Sequence, residues 1–85
     1  MYKICYHPRV EKFLKKLPKQ ITKKIFEKIE ILKKNPFSFQ LDSKKLITTE
    51  KSYRLKIGKI RVVYEINTQN KLIYVHYIDF RGNIY

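Results

Sequence analysis

The sequence predicts an α+β fold: an N-terminal strand, then a two-helix hairpin packed on one face of a mostly antiparallel sheet. Three observations lead there. A short alternating segment opens the chain, two stretches of helical apolar spacing follow it, and the second half alternates with the two-residue period of strands, broken by turn residues. Amphipathic elements must bury their apolar sides against another layer. Two successive helices ahead of a run of strands therefore cover one face of the sheet and leave the other open.

Residues 2–7 alternate large apolar with other side chains until Pro8 stops the pattern. From Pro8 onward, Val10, Phe13, Leu14 and Leu17 recur at i, i+3, i+4 and i+7, while Lys12, Lys15 and Lys16 fall on the other side. Leu17-Pro18-Lys19 is the corner between two helices, because proline is favoured in a first helical turn and breaks an interior. The second helix carries Ile21, Ile25, Ile29 and Leu32 on one face, widened by Phe26, and ends at Asn35-Pro36. Residues 37–44 show no sustained period and are read as a loop. Strands are predicted over 45–48, 53–57, 60–67 and 71–79. Gly58-Lys59 and Thr68-Gln69-Asn70 suit hairpin connections, so the last three strands form a meander.

A chain of 85 residues holds one domain, expected over 1–85, with one modest core. Its 44% hydrophobic and 14% aromatic content is too rich for a disordered polypeptide. Lys and Arg number 20 against 7 Asp and Glu, and the resulting net charge of +13 spreads a positive potential over so small a body. The expected partners are anionic, nucleic acid before membrane lipid, since phosphate neutralisation with counterion release rewards Lys and Arg whatever sequence is bound. No stretch approaches the roughly 18 apolar residues of a spanning helix, and the N-terminus lacks the apolar core of a signal peptide, so a cytoplasmic location is expected. Cys5 stands alone and reads as a small buried strand residue. His7 and His76 have no ligand-like spacing, so neither a metal site nor a cofactor is expected.

Side chains alternate across a strand. Tyr53, Leu55 and Ile57 therefore share the side facing the helices, and Arg54 and Lys56 share the other. Ile60, Val62, Tyr64 and Ile66 make the matching apolar set on the next strand, which puts Arg61 on the open side with Val63 and Glu65. Arg54, Lys56 and Arg61 thus converge near one hairpin. In the last strand the parity stays open, because Leu72, Tyr74, His76 and Ile78 are about as apolar as Ile73, Val75 and Tyr77.

The run Tyr53-Arg54-Leu55-Lys56-Ile57-Gly58-Lys59-Ile60-Arg61-Val62-Val63-Tyr64 resembles the Y-R-x-R/K-x-G-x-x-R-x-x-Y core of the RelE/ParE toxin superfamily. The ending Asp79-Phe80-Arg81-Gly82-Asn83-Ile84-Tyr85 resembles that family's terminal segment, an Arg after the last strand followed by a Tyr. With the helical hairpin at Leu17-Pro18 the likeness spans nearly the whole chain. It implies a RelE-like fold and the toxin of a type II toxin–antitoxin pair, one that cuts mRNA in the ribosomal A site by attack of the substrate's own 2′-hydroxyl, without a metal. The implied partners are the ribosome, mRNA and an acidic RelB-like antitoxin. By the same resemblance Lys56, Arg61, Arg81 and Tyr85 match catalytic positions and Arg54 a phosphate-contacting one. A ParE-like inhibitor of DNA gyrase and a non-catalytic RNA- or ribosome-binding module are the alternatives.

The implied roles are chemically coherent. A phosphorane transition state gains negative charge that fixed guanidinium groups stabilise, which suits Arg61 and Arg81. Free lysine and tyrosine titrate near ~10, far from the neutral optimum for a general base. A cationic neighbourhood favours neutral lysine and ionised tyrosine, so Lys56 and Tyr85 are both candidates for proton transfer. Arg54 is always protonated and is confined to phosphate contact. On the plainer side, the Lys-rich stretches are solvated helix faces, His76 fills or edges the core, and Asp79 pairs with Arg81 or Lys71.

Overall fold

The computed structural model describes residues 1–46 and 51–80. Among them, seven elements follow in order: β1 (Lys3–Tyr6), α1 (Pro8–Lys15), α2 (Lys19–Lys34), β2 (Ser43–Lys45), β3 (Ser52–Ile57), β4 (Ile60–Asn67) and β5 (Leu72–Phe80). The strands form one sheet in the order β1-β5-β4-β3-β2. β1 runs parallel to β5, and the β5–β4, β4–β3 and β3–β2 pairs are antiparallel. The parallel pair is possible because two helices, not a tight turn, separate β1 from the rest of the sheet. The predicted α+β architecture is the observed one.

Local chemistry explains the boundaries. The Nδ1 of His7 accepts a hydrogen bond from the Arg9 backbone N–H at 3.1 Å, and Pro8 occupies the first helical turn, where its missing donor is not needed. Pro18, with φ −59° and ψ 149°, then sets the corner before α2. In the β3–β4 turn Gly58 takes φ +59° at the first central position, the region that a type II′ hairpin requires and that side chains with a Cβ resist. Lys71 also has a positive φ, 52°, which places it in the β4–β5 turn, so β5 starts one residue later than expected and ends at Phe80. β2 is shorter and earlier than the strand expected over 45–48. It comprises Ser43–Lys45, paired with Leu55, Arg54 and Tyr53, while residues 47 and 48 lie outside the described residues.

The core lies between the helices and one sheet face. Val10 of α1 and Ile25, Ile29 and Leu32 of α2 meet Leu55, Ile57, Ile60, Val62, Tyr64, Ile66, Ile73, Val75 and Ile78. Ile21 sits partly buried at the edge of this cluster. Phe26 does not widen the helical stripe as expected. It is 45% exposed, on the flank of α2 that faces the shallow groove along Tyr2, Ile4 and Tyr6.

Among the described residues Tyr64 is the largest fully buried side chain. Its ring stacks on Tyr53 at 5.9 Å. The hydroxyl is turned toward Ser43 without a well-formed hydrogen bond among the described residues, and burial pushes its pKa up to about 12.

The β5 parity that the sequence left open has a structural answer. Val63 pairs with Tyr77 and Tyr64 with Val75, so His76 is an extra residue on β5. Before this bulge Ile73 and Val75 face the core. After it the inward position shifts by one and Ile78 is the buried residue. Each candidate set was inward over half of the strand.

Candidate catalytic face

The sheet face away from the helices is laid out by register. One row across it contains Lys44, Arg54, Val63 and Tyr77, and the next contains Lys56, Arg61 and Asp79. Rows on one face are two residues apart, about 7 Å. Arg54, Lys56 and Arg61 therefore stand in adjoining rows, Lys56 directly across from Arg61 and Arg54 directly across from Val63. Lys56 is exposed, and Arg54 and Arg61 are half-buried. Arg54 and Lys56 also line a small depression with Lys44 and Asp42, and the Lys56 backbone N–H donates to the Asp42 carbonyl at 2.8 Å. Arg81 and Tyr85, the other two expected site residues, lie outside the described residues.

Arg61 is held by its neighbours. Its Nε–H donates to Oδ1 of Asp79 at 3.2 Å and its Nη2 to Oδ2 at 2.7 Å, a bidentate fork between β4 and β5. The guanidinium carbon also lies 5.9 Å from the centre of the Tyr77 ring. Asp79 was expected to pair with Arg81 or Lys71. The direct register pairing of Arg61 with Asp79 places it against Arg61 rather than Lys71, and Arg81 lies outside the described residues.

A second polar pair occupies the same face. Glu65 Oε2 lies 3.3 Å from His76 Nε2, and the His76 ring meets the edge of Tyr74 at 4.7 Å. His76 was expected to fill or edge the core. The bulge turns it outward beside Tyr77, where it is half-exposed. Cys5 also differs from expectation: its register partner is Tyr74 and it is only half-buried, because it lies on the uncovered side of β1 while Ile4 and Tyr6 pack on the core.

Sequence reasoning missed the Asp79 fork, the Tyr77 contact and the Glu65–His76 pair. The signal was present in the unresolved parity of β5. Two equally apolar alternations in one strand are what a bulge leaves in a sequence, since it hands the inward positions from one set to the other.

Among the described residues, no three of His, Cys, Asp and Glu gather where they could hold a metal ion. No described helix is long and apolar enough to cross a membrane. Phosphate chemistry on this face would rest on Arg54, Lys56 and Arg61.

Comparison with known proteins places the fold among known relatives. Residues 4–85 match the family model of the ParE toxin of the type II toxin–antitoxin system parDE. A protein of Methanocaldococcus jannaschii named RelE1 is 38% identical over 85 residues, covering 99% of this chain and 94% of its own. The archaeal RelE–RelB complex from Pyrococcus horikoshii superposes with a TM-score of 0.85 at 32% identity, covering 96% of this chain and 97% of the other. The RelB–RelE antitoxin–toxin complex from Methanococcus jannaschii gives 0.76 at 27% identity, covering 95% and 94%.

Proposed function

The chain belongs to the RelE/ParE superfamily of type II toxin–antitoxin toxins, and from that premise we propose that it is an endoribonuclease that cuts mRNA held in the ribosome. The observation that carries this reading is the placement of Arg54, Lys56 and Arg61 in adjoining rows of the uncovered sheet face. A scissile phosphodiester laid on that face meets fixed cations on two strands.

In the proposed reaction the 2′-hydroxyl of the mRNA attacks the adjacent phosphorus and the bond to the 5′-oxygen breaks. The products are a 2′,3′-cyclic phosphate and a 5′-hydroxyl. Arg61, with Arg81, stabilises the charge that builds on the non-bridging oxygens, and Arg54 holds the neighbouring backbone. Lys56 or Tyr85 takes the proton from the attacking hydroxyl, and the leaving oxygen receives one. The ribosome completes the site by ordering the strand and excluding water, which strengthens each of these electrostatic contacts.

The same premise supplies a partner. The Pyrococcus and Methanococcus relatives were crystallised as complexes with RelB. A surface of net charge +13 suits an acidic segment that orders as it wraps the domain, so the reading includes a RelB-like antitoxin. Co-expression of that antitoxin should restore growth to cells arrested by this chain.

The direct test adds the purified chain to a translating extract and maps mRNA ends. Cuts spaced by codons, dependent on translating ribosomes, are expected. Intact mRNA at toxin concentrations that stop translation would remove the nuclease reading. A second reading, inhibition of DNA gyrase, is favoured by the match to the ParE model itself. It predicts loss of supercoiling activity with mRNA left whole.

A further inference from the structure

We infer that Asp79 is the positioning residue of Arg61, gripping its guanidinium so that the group meets a phosphate on this face in a fixed orientation. This rests on the nuclease reading and assigns a role to a residue outside the expected catalytic set.

The geometry is specific. Of the five N–H groups on a guanidinium, Nε–H and one on Nη2 are directed at the two carboxylate oxygens of Asp79. The Tyr77 ring beside the guanidinium carbon adds a third contact, so the plane of the group is constrained as well as its axis. Arg61 and Asp79 are direct cross-strand partners in the interior of the sheet, on β4 and β5, where the backbone gives little freedom to either.

Two plainer roles account poorly for a carboxylate at this place. As a contribution to stability, an ion pair taken partly out of water is no better than a well-packed apolar pair of the same size. As a contribution to binding it works the wrong way, because an anion on a cationic face repels the phosphate that the face attracts. What a bidentate fork supplies is orientation, and misplacing a catalytic group by about 1 Å can cost on the order of 100-fold in rate.

The signature of such a role is a split between rate and affinity. Without the carboxylate, Arg61 keeps its charge but loses its aim, and the face loses one negative charge. Turnover should fall while substrate affinity holds or tightens.

The experiment uses the full chain on programmed ribosomes. The maximal single-turnover cleavage rate is measured at saturation, and affinity is measured separately with an mRNA carrying a 2′-deoxynucleotide at the cut site, which binds but lacks the attacking hydroxyl. Asp79→Asn should lower the maximal rate about 10- to 100-fold. Its affinity for the deoxy-substituted complex should stay at or tighter than that of wild type. Asp79→Glu, which keeps the carboxylate, should recover part of the rate. Arg61→Ala combined with Asp79→Asn should be no slower than Arg61→Ala alone, because the carboxylate acts only through the guanidinium. Thermal melting identifies the folded variants, and Asp79→Ser serves the same comparison should the Asn variant not fold. A full wild-type rate in Asp79→Asn, a loss of rate matched by a loss of affinity, or a full additional loss in the double variant overturns the assignment. A wild-type chain that binds ribosomes and never cuts removes the nuclease reading and this one with it, whereas wild-type cleavage with an unimpaired Asn variant removes this one alone.

Discussion

His76 and Glu65 face each other across the β4–β5 pair at 3.3 Å, and they do so because His76 is the extra residue of a bulge. The pair is half-exposed, so its own electrostatic worth is small. The bulge is what matters: by absorbing the extra residue it lets Ile73 and Val75 face the core on one side while Ile78 faces the core on the other. Substituting His76 by Gln should change unfolding free energy by less than about 1 kcal/mol. Deleting residue 76 should leave cooperative folding intact, since removing the extra residue of the bulge keeps Ile73, Val75 and Ile78 on the core side of a now regular strand. Denaturant unfolding followed by circular dichroism compares the two.

Tyr64 makes stability fall at alkaline pH. Burial raises its pKa from 10.0 to about 12, with the nearby Ser43 acting in the opposite direction. A group whose folded pKa lies above its unfolded one contributes fully below the unfolded value and loses that contribution as pH rises through the folded one. The window is therefore pH 10 to 12, and the amount is on the order of 2 kcal/mol. Tyr64→Phe should remove most of this slope while leaving stability near pH 7 unchanged or raised, because the deleted hydroxyl lacks a well-formed hydrogen bond. Tyr6, also raised by burial and then by Glu30, should leave a residual slope. Urea titrations at stepped pH read both.

Gly58→Ala tests the β3–β4 turn. A Cβ built there meets nothing within 4 Å, so the expected cost is that of placing alanine at φ +59°, about 1–2 kcal/mol. For a domain of this size that lowers the melting temperature by about 4–16 °C, measurable by calorimetry. An unchanged melting temperature would mean that the turn relaxes to another type.

The cations of the uncovered face should separate by role when codon-spaced cleavage is measured. Arg61→Ala should lower the maximal rate about 100- to 1,000-fold, the effect of removing one preorganised oxyanion donor. Lys56→Ala should cost about 100-fold or more if Lys56 carries the proton, and Tyr85→Phe should cost that amount if Tyr85 does. Lys44→Ala, in the row of Arg54 but on the edge strand β2, should alter affinity and salt dependence more than rate.

Periodicity alone determined the order of elements, the two helical stripes, the Gly58-Lys59 hairpin and the common face of Arg54, Lys56 and Arg61, because these depend on neighbours a few residues apart along one strand or helix. The tertiary structure decided what depends on pairing between distant strands. It set the parallel union of β1 with β5, the bulge that turned His76 outward, and the fork that joined Arg61 to Asp79, eighteen positions away. A two-residue alternation records which side of its own strand a residue occupies. It carries no trace of the residue that register will set against it, and on this protein's uncovered face that partner is what aims the guanidinium.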